Sequence, residues 1–217
     1  MTSNLCFHGV GSCTAEREAG ESRYWMAEDE FLRVIDIVAE STDVAISFDD
    51  GNRSDVDIAL PALRERGLRA TFFPVAGRLS DPASLSPADL IGLREAGMQI
   101  GSHGWTHIPW RGLSAEAAQR ELIAARDALT EASGGDITEA ALPLGEYDRM
   151  ALHRLRAAGY HAVYTSDRFP FRQRAWMRAR YSVTAHDTAQ TVQRIVHGRP
   201  GLAEARNVAA SLVKRYR

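Results

Sequence analysis

The feature that most constrains the fold of this chain is a repeated alternation of short apolar runs with longer amphipathic runs. The short runs are typical of strands, and the amphipathic runs carry apolar residues at helical spacing. Strands that alternate with helices favour a parallel sheet with right-handed crossovers, because each helix returns the chain to the start of the next strand. The choice lies between a doubly wound sheet and a βα barrel. No Gly-rich phosphate loop follows a predicted strand, which argues against a nucleotide-binding unit.

The predicted strands are short and each is followed by a polar loop: Leu5–Val10, Val44–Phe48, Ala70–Val75, Met98–Ser102, Glu139–Leu142, Ala162–Thr165 and Ala179–Ala185. The predicted helices end close to a glycine or another turn residue: Ala27–Glu40, Ser54–Arg66, Ser86–Ala96, Ser114–Ser133, Asp148–Ala158 and Thr188–His197. The helix at Ser54 begins with the pattern of a capping box, in which a serine precedes an acidic residue by three positions. The helix at Ser86 begins with Pro87 at its first helical position.

The last segment, residues 202–217, is predicted as a helix that packs on the rest of the chain. Its apolar residues recur at helical spacing among basic ones: Leu202, Ala205, Ala209, Leu212, Val213 and Tyr216. No linker rich in Pro, Gly or Ser divides the sequence. We therefore expect a single domain over residues 1–217, with this helix at its C-terminal end.

Composition excludes several classes of protein. The 217 residues include 2 cysteines, too few for a disulfide scaffold or a cysteine-based metal knuckle. A formal net charge of −2 argues against a nucleic-acid partner. No apolar run approaches the roughly 20 residues that a membrane span needs. The start lacks the basic and apolar regions of a signal peptide, so we expect a cytoplasmic protein.

Two adjacent carboxylates, Asp49 and Asp50, follow the strand predicted at Val44–Phe48. A turn alone explains an Asp-Gly pair such as Asp50-Gly51, but a second like charge adds nothing that a turn requires. Adjacent like charges become tolerable when one of them binds a cation, because the cation stabilises both. The pair therefore indicates either a turn or an acidic site that holds a metal.

Two histidines, His103 and His107, follow the strand predicted at Met98–Ser102. A separation of four residues directs both imidazoles to one side of a helical turn. Two imidazoles and one carboxylate make a three-ligand set that leaves a position open for water, as in catalytic zinc sites. Both motifs follow strands, and a parallel barrel brings such junctions to one face.

These motifs resemble those of the polysaccharide deacetylases, the NodB-homology group also classed as carbohydrate esterase family four. The sequence Ser-Phe-Asp-Asp-Gly at 47–51 resembles the first motif of that family, and His-Gly-Trp-Thr-His at 103–107 resembles the second. The order and spacing of motifs extend the resemblance from about Leu5 to Val183 and make it specific. It implies an α/β fold, a distorted and incomplete (β/α) barrel of parallel strands. It also implies an enzyme that removes acetyl groups from N-acetylated sugars.

The resemblance assigns roles residue by residue. Asp49 resembles the catalytic base, and Asp50, His103 and His107 resemble the ligands of a divalent metal. Zinc is the metal we expect, although two imidazoles and a carboxylate also suit iron or cobalt. The implied partner is an N-acetylated carbohydrate, whose acetyl amide is attacked by water that the metal has activated.

The third family motif is altered in this sequence. The family has Arg-Pro-Pro followed by an aromatic residue, where this chain has Ala141 in place of the arginine and Leu144 in place of the aromatic residue. Arg178 or Arg180 could supply the missing guanidinium. Leu144 is expected to contact the substrate, with a backbone N–H nearby for the oxyanion. Trp105, inside the histidine motif, is expected either to stack on a sugar ring or to cover the core.

The general acid has two candidates, because the fifth family motif, Leu-x-His, is not clearly present. His186 matches only the histidine of that motif, and His8 follows the first predicted strand. A histidine at the end of a first barrel strand faces the active site, so we favour His8. Two alternatives to sugar deacetylation remain: hydrolysis of another amide, such as a cyclic imide or ureide, and a non-catalytic module that binds metal or glycan.

Overall fold

The structure is a computed structural model that describes residues 1–198 and 200–217. Its strands are β1 Ser3–Phe7, β2 Gly9–Val10, β3 Trp25–Met26, β4 Val44–Asp50, β5 Thr71–Pro74, β6 Gln99–Ile100, β7 Glu139–Ala141, β8 Ala162–Thr165, β9 Met177–Ala179 and β10 Tyr181–Ser182. Its helices are α1 Glu28–Ala39, α2 Leu60–Glu65, α3 Pro87–Glu95, α4 Ala115–Ala118, α5 Ala125–Ser133, α6 Arg149–Ala157, α7 Ala189–His197 and α8 Leu202–Tyr216. Single π-helical turns precede α2 and join α4 to α5. Among the described residues, every helix is too short or too polar to cross a bilayer.

The strands form two main parallel sheets rather than a closed barrel. The larger sheet has the order β10-β1-β4-β5-β6, and the smaller has the order β7-β8-β9. Ser102, just beyond β6, makes a parallel bridge to Ala140 in β7 and so brings the two sheets together on one side. On the other side, β9 pairs with β8 and β10 pairs with β1, so the chain passes between the sheets at Arg180. The predicted α/β fold with an incomplete ring of parallel strands is confirmed.

Stacked aromatic rings under the carboxyl ends of the strands set the position of the polar loops. The Phe7 and Phe48 rings lie 5.4 Å apart, and the Phe48 and Phe72 rings lie 4.8 Å apart. All three rings are buried. Phe7 and Phe48 are register partners in β1 and β4, so the residues that follow them emerge at the same edge of the sheet. Because a packed aromatic core resists deformation, this edge is a fixed base for polar side chains.

Local structure departs from the sequence pattern at two places. The strand predicted at Leu5–Val10 is divided into β1 and β2, and His8 stands between them. The capping box predicted at Ser54 is wrong: the Ser54 hydroxyl accepts a hydrogen bond from the Val10 N–H instead, because β2 lies against this turn. The helix start predicted at Ser86 is present, and a capping box forms there, with Asp89 as its acidic member.

Helix α8 exists as predicted, but it does not pack through its apolar residues. Leu202, Val213 and Tyr216 are 86%, 60% and 79% exposed. The contacts to the rest of the chain are polar: Ser211 bonds to the Tyr147 hydroxyl, and Lys214 to Asp167. The helical spacing of the apolar residues correctly predicted a helix. It did not predict which side packs, because that side is set by buried polar partners in the loops before α6 and after β8.

Candidate active site

The predicted acidic and histidine motifs meet at the carboxyl edge of the larger sheet. Asp49 and Asp50 are the last residues of β4, and His103 follows β6. A cavity of about 370 Å³ opens there and is lined in part by all four side chains. Asp50 and His107 both have left-handed backbone conformations, with φ of 72° and 59°. Such conformations are uncommon for residues other than glycine and concentrate at functional sites.

Three potential ligand atoms converge at this point. The Nε2 atom of His107 lies 3.2 Å from Oδ1 of Asp50, and the Nε2 atom of His103 lies 3.6 Å from the same oxygen. One ligand atom from each residue lies within 4.8 Å of those from the other two. All three side chains are buried. The structure therefore brings together the three residues that the resemblance assigned to a metal.

Hydrogen bonds on the far side of each ring fix which nitrogen carries a proton. His103 Nδ1 lies 2.9 Å from the Ala141 carbonyl oxygen, and His107 Nδ1 lies 2.6 Å from Oε1 of Glu18. A carbonyl oxygen and a carboxylate can only accept, so both Nδ1 atoms must donate. Burial also lowers the pKa of His103 to about 4, which leaves the ring neutral near pH 7. The Nε2 atom of His103 therefore presents a lone pair to Asp50, and the Nε2 atom of His107 faces the same oxygen.

This arrangement fits a divalent cation. Among the described residues, Oδ1 of Asp50 is buried without a hydrogen-bond partner, while the Nε2 atoms of two imidazoles face it. A buried carboxylate oxygen without a partner is costly, and a cation bound between it and two neutral imidazoles removes that cost. Atoms bound about 2.0–2.1 Å from a tetrahedral zinc ion lie roughly 3.3–3.4 Å apart, close to the measured 3.2 and 3.6 Å separations. A carboxylate and two imidazoles are the donor types that zinc takes in catalytic sites.

A second cluster of potential ligands, Cys6, His8 and Asp49, suits a metal less well. Burial raises the pKa of the Cys6 thiol well above its usual value, so the sulfur stays protonated. Only the thiolate is a good metal ligand. Both oxygens of Asp49 already accept hydrogen bonds from Arg180. The chemistry of the donors therefore favours the set of Asp50, His103 and His107.

Arg180 forms a paired hydrogen bond with Asp49. Its Nη1 and Nη2 atoms each lie 2.6 Å from a carboxylate oxygen, and both side chains are buried. Burial alone would raise the pKa of Asp49, but the charge and hydrogen bonds of Arg180 outweigh it and hold that pKa well below its usual range. A guanidinium thus reaches Asp49 from the link between β9 and β10, although position 141 is an alanine. Arg178, the other candidate, pairs with Glu139 instead.

The two candidate general acids lie in different surroundings. His8 lines the cavity, and its ring stacks on Tyr24 with 4.7 Å between ring centres. A ring nitrogen of His8 lies within 4.8 Å of an oxygen of Asp49. His186 is exposed and is not among the described residues that line the cavity. The structure therefore brings His8, but not His186, to the acidic pair.

The two residues predicted to contact substrate also differ. Leu144 lies at the mouth of the cavity, 58% exposed, in a tight turn where its φ is 56°. Trp105 is not among the described residues that line the cavity; it lies against Gly77 and the Arg120 guanidinium. These surroundings agree with the interpretation in which Trp105 covers the core, rather than the one in which it stacks on a sugar ring.

Sequence reasoning missed two contributors to the site, Glu18 and Tyr24. Both come from the segment between β2 and β3, which has no strand or helix pattern and contains several small and charged residues. Glu18 is 89 positions from His107, and no spacing rule connects residues so far apart. For Tyr24, an aromatic residue just before a short strand was the only signal available.

Comparisons with known proteins agree with this geometry. A sequence model of the family described as Polysaccharide deacetylase matches residues 37–163 of the chain. A chitin deacetylase of Pestalotiopsis sp. is 30% identical over 122 residues, which are 55% of this chain and 40% of that relative. The chain spans less than half the length of the curated relatives it matches.

Solved structures share the fold at low sequence identity. The Streptococcus pyogenes deacetylase PplD, solved in complex with acetate, has a TM-score of 0.76 and 16% identity, covering 92% of this chain and 98% of that one. IcaB from Ammonifex degensii has a TM-score of 0.74 and 20% identity, covering 91% of this chain and 97% of that one. At such identities the likeness is evidence for the fold alone.

Proposed function

Because the chain belongs to the polysaccharide deacetylase family, we propose that it hydrolyses the acetyl amide of an N-acetylated sugar with the help of a divalent metal. The observation that carries this proposal is the convergence of Asp50, His103 and His107 beside Asp49 in one cavity. Two relatives are named as a chitin deacetylase and a peptidoglycan-N-acetylmuramic acid deacetylase. Those names support a glycan built from N-acetylated sugars, or a precursor of one, as the substrate class.

In this proposal Asp50, His103 and His107 hold the metal, and zinc is the ion we favour. When bound, a divalent cation supplies Lewis acidity toward water and toward the acetyl carbonyl oxygen. The role of the chain is to keep two neutral imidazoles and one carboxylate directed at one point. The Ala141 carbonyl oxygen and Glu18 do this by accepting the Nδ1 protons of His103 and His107.

Asp49 is the proposed general base. It accepts a proton from the water whose oxygen forms a bond to the acetyl carbon. Arg180 occupies one lone pair on each Asp49 oxygen, and a carboxylate oxygen has a second lone pair for the proton. The guanidinium also fixes the direction of the carboxylate. Asp49 therefore enters each cycle ionised and held in one orientation.

His8 is the proposed general acid. The carbon–nitrogen bond breaks only if the nitrogen gains a proton, because an amide anion is too basic to leave unaided. His8 lines the cavity beside Asp49 and donates that proton, so the products are acetate and a free amino sugar. The turn at Leu144 is our candidate for a backbone N–H that stabilises the developing oxyanion.

The ion pair between Asp49 and Arg180 supports deacetylation over the two alternatives. Hydrolysis of a cyclic imide or ureide was considered because the third motif lacks its arginine at Ala141. A non-catalytic module was considered for the same reason and because the general acid was uncertain. Arg180 supplies a guanidinium to Asp49, and a binding module has no use for an oriented base that is not a metal ligand.

Acetate release tests the proposal. The purified chain, treated with chelator and then supplied with Zn²⁺, is incubated with oligomers of N-acetylglucosamine, with peptidoglycan fragments, and with a cyclic imide and a ureide. We expect metal-dependent release of acetate from at least one N-acetylated glycan, and release about 10²–10⁴-fold slower from the Asp49→Asn variant. Ring opening of the imide or ureide without acetate release would contradict the proposal.

A further inference from the structure

Residues 11–24, here called the wall segment, connect β2 to β3 and form one side of the cavity. The two ends of the segment are held together, because Gly9 and Val10 pair with Trp25 and Met26. Six residues of its second half line the cavity: Glu18, Ala19, Gly20, Glu21, Arg23 and Tyr24. The segment is therefore a loop fixed at its base, and its middle lies over the proposed metal centre.

Two adjacent side chains hold the middle of the wall segment in place. Arg17 bonds to the side chains of Asn52 and Ser84. Glu18 accepts a hydrogen bond of 2.6 Å from His107 Nδ1 and forms an ion pair with Arg78. Of these contacts, only the one from Glu18 reaches a proposed metal ligand.

Glu18 acts on the far nitrogen of a proposed ligand. A carboxylate that accepts the Nδ1 proton of an imidazole fixes the ring and makes Nε2 a stronger electron donor. The Arg78 guanidinium pairs with the same Glu18 oxygen that contacts His107 and so holds that oxygen in place. His107 has a left-handed backbone, with φ of 59°, a conformation that concentrates at functional sites.

We propose that Glu18 is a positioning residue of the metal centre and that it couples retention of the metal to the order of the wall segment. This inference rests on the proposed function, since it requires a metal at His107. The coupling is reciprocal: if contact with Glu18 tightens metal binding, a bound metal favours the closed wall segment by the same factor. A bound metal then favours the arrangement in which this side of the cavity is formed.

The test compares Zn²⁺ affinity in four forms of the full chain, measured by competition with a chromogenic chelator. Glu18→Ala should bind Zn²⁺ about 10–100-fold more weakly than the unmodified chain. Glu18→Gln should lose less, because its amide oxygen still accepts the Nδ1 proton. Glu16→Gln is the matched control. Glu16 lies in the same segment and bonds within it to Gly20 and Ser22, so the same loss of charge there should leave the affinity unchanged.

A second readout follows the wall segment itself. Trypsin cleaves after Arg17 and Arg23, and saturating Zn²⁺ should slow both cleavages in the unmodified chain and in Glu16→Gln, but not in Glu18→Ala. If Glu18→Ala binds Zn²⁺ as tightly as the unmodified chain, or keeps full protection by Zn²⁺, the inference is wrong. If the unmodified chain binds no Zn²⁺, the proposed metal centre fails first and the inference fails with it.

Discussion

Arg180 and Asp49 form a buried ion pair that joins the end of β4 to the point where the chain crosses from β9 to β10. Two hydrogen bonds of 2.6 Å fix the plane of the carboxylate relative to the guanidinium. The family pattern places an arginine where this chain has Ala141, at the end of β7. Here the link between β9 and β10 supplies the guanidinium. The orientation of Asp49, the proposed base, therefore depends on where the charge lies in space and not on which motif carries it.

Replacement of Arg180 by methionine should destabilise the fold and shift the pH profile. Removal of one partner leaves Asp49 buried and unpaired, which costs about 3–5 kcal/mol of unfolding free energy. Asp49 stabilises the fold above its unfolded pKa of about 3.9 and loses that effect as the pH falls through its lower folded pKa. Without Arg180, burial raises the pKa of Asp49. The acidic limb of kcat/KM should therefore move to higher pH, as measured by acetate release.

Arg180→Lys and Arg178→Met are the controls for that prediction. Lysine keeps the charge but loses the paired geometry. The acidic limb of the Arg180→Lys variant should therefore lie between those of the unmodified chain and the Arg180→Met variant. Arg178 pairs with Glu139 and not with the acidic site, so its loss should leave the acidic limb where it is. If the Arg180→Met variant kept its acidic limb at the same pH as the unmodified chain, Arg180 would not control the ionisation of Asp49.

Asp49→Asn should separate the base from the metal centre. The asparagine keeps the shape of the side chain but cannot accept a proton from water. We expect a fall in kcat of about 10²–10⁴-fold with metal content unchanged, measured by acetate release and by metal analysis of the same sample. Full activity in this variant would mean that another group takes the proton.

His8→Gln and His186→Gln form a matched pair for the general acid. His8 lines the cavity and lies close to Asp49, whereas His186 is exposed. The substitution at 8 should lower kcat, measured by acetate release, while Zn²⁺ affinity is retained. The substitution at 186 should change neither. If the substitution at 186 lowered kcat and the substitution at 8 did not, His186 and not His8 would be the general acid.

Lys214→Met should weaken the docking of α8 in a pH-dependent way. Lys214 bonds to Asp167 at 2.8 Å and, after the opposing effect of burial, helps to hold the pKa of Asp167 below its usual value. The loss should be about 1 kcal/mol of unfolding free energy above pH 4, and it should shrink as Asp167 is protonated at lower pH. Arg206→Met, on the exposed side of the same helix, should change stability by less than about 0.5 kcal/mol. An equal loss at all pH values would exclude the ion pair as its cause.

The sequence predicted what depends on local pattern. Alternating runs identified the parallel α/β fold, and the motifs at Asp49–Asp50 and His103–His107 identified residues that the structure brings together. Contacts between distant segments were not predictable in this way. Arg180 could only be guessed from its position near a strand end, and Glu18 gave no signal, because its partner lies 89 positions away. The outward apolar side of α8 was missed for the same reason: the polar contacts that orient the helix belong to other elements.

The central claim is that one divalent ion is held by Asp50, His103 and His107. The most direct test is the stoichiometry of Zn²⁺ in the dialysed protein, measured by metal analysis for the unmodified chain and for Asp50→Ala and His107→Ala. We expect one Zn²⁺ ion per unmodified chain, and loss of that ion in both variants. Retention of a full equivalent by either variant, or its absence from a folded unmodified chain supplied with Zn²⁺, would contradict it.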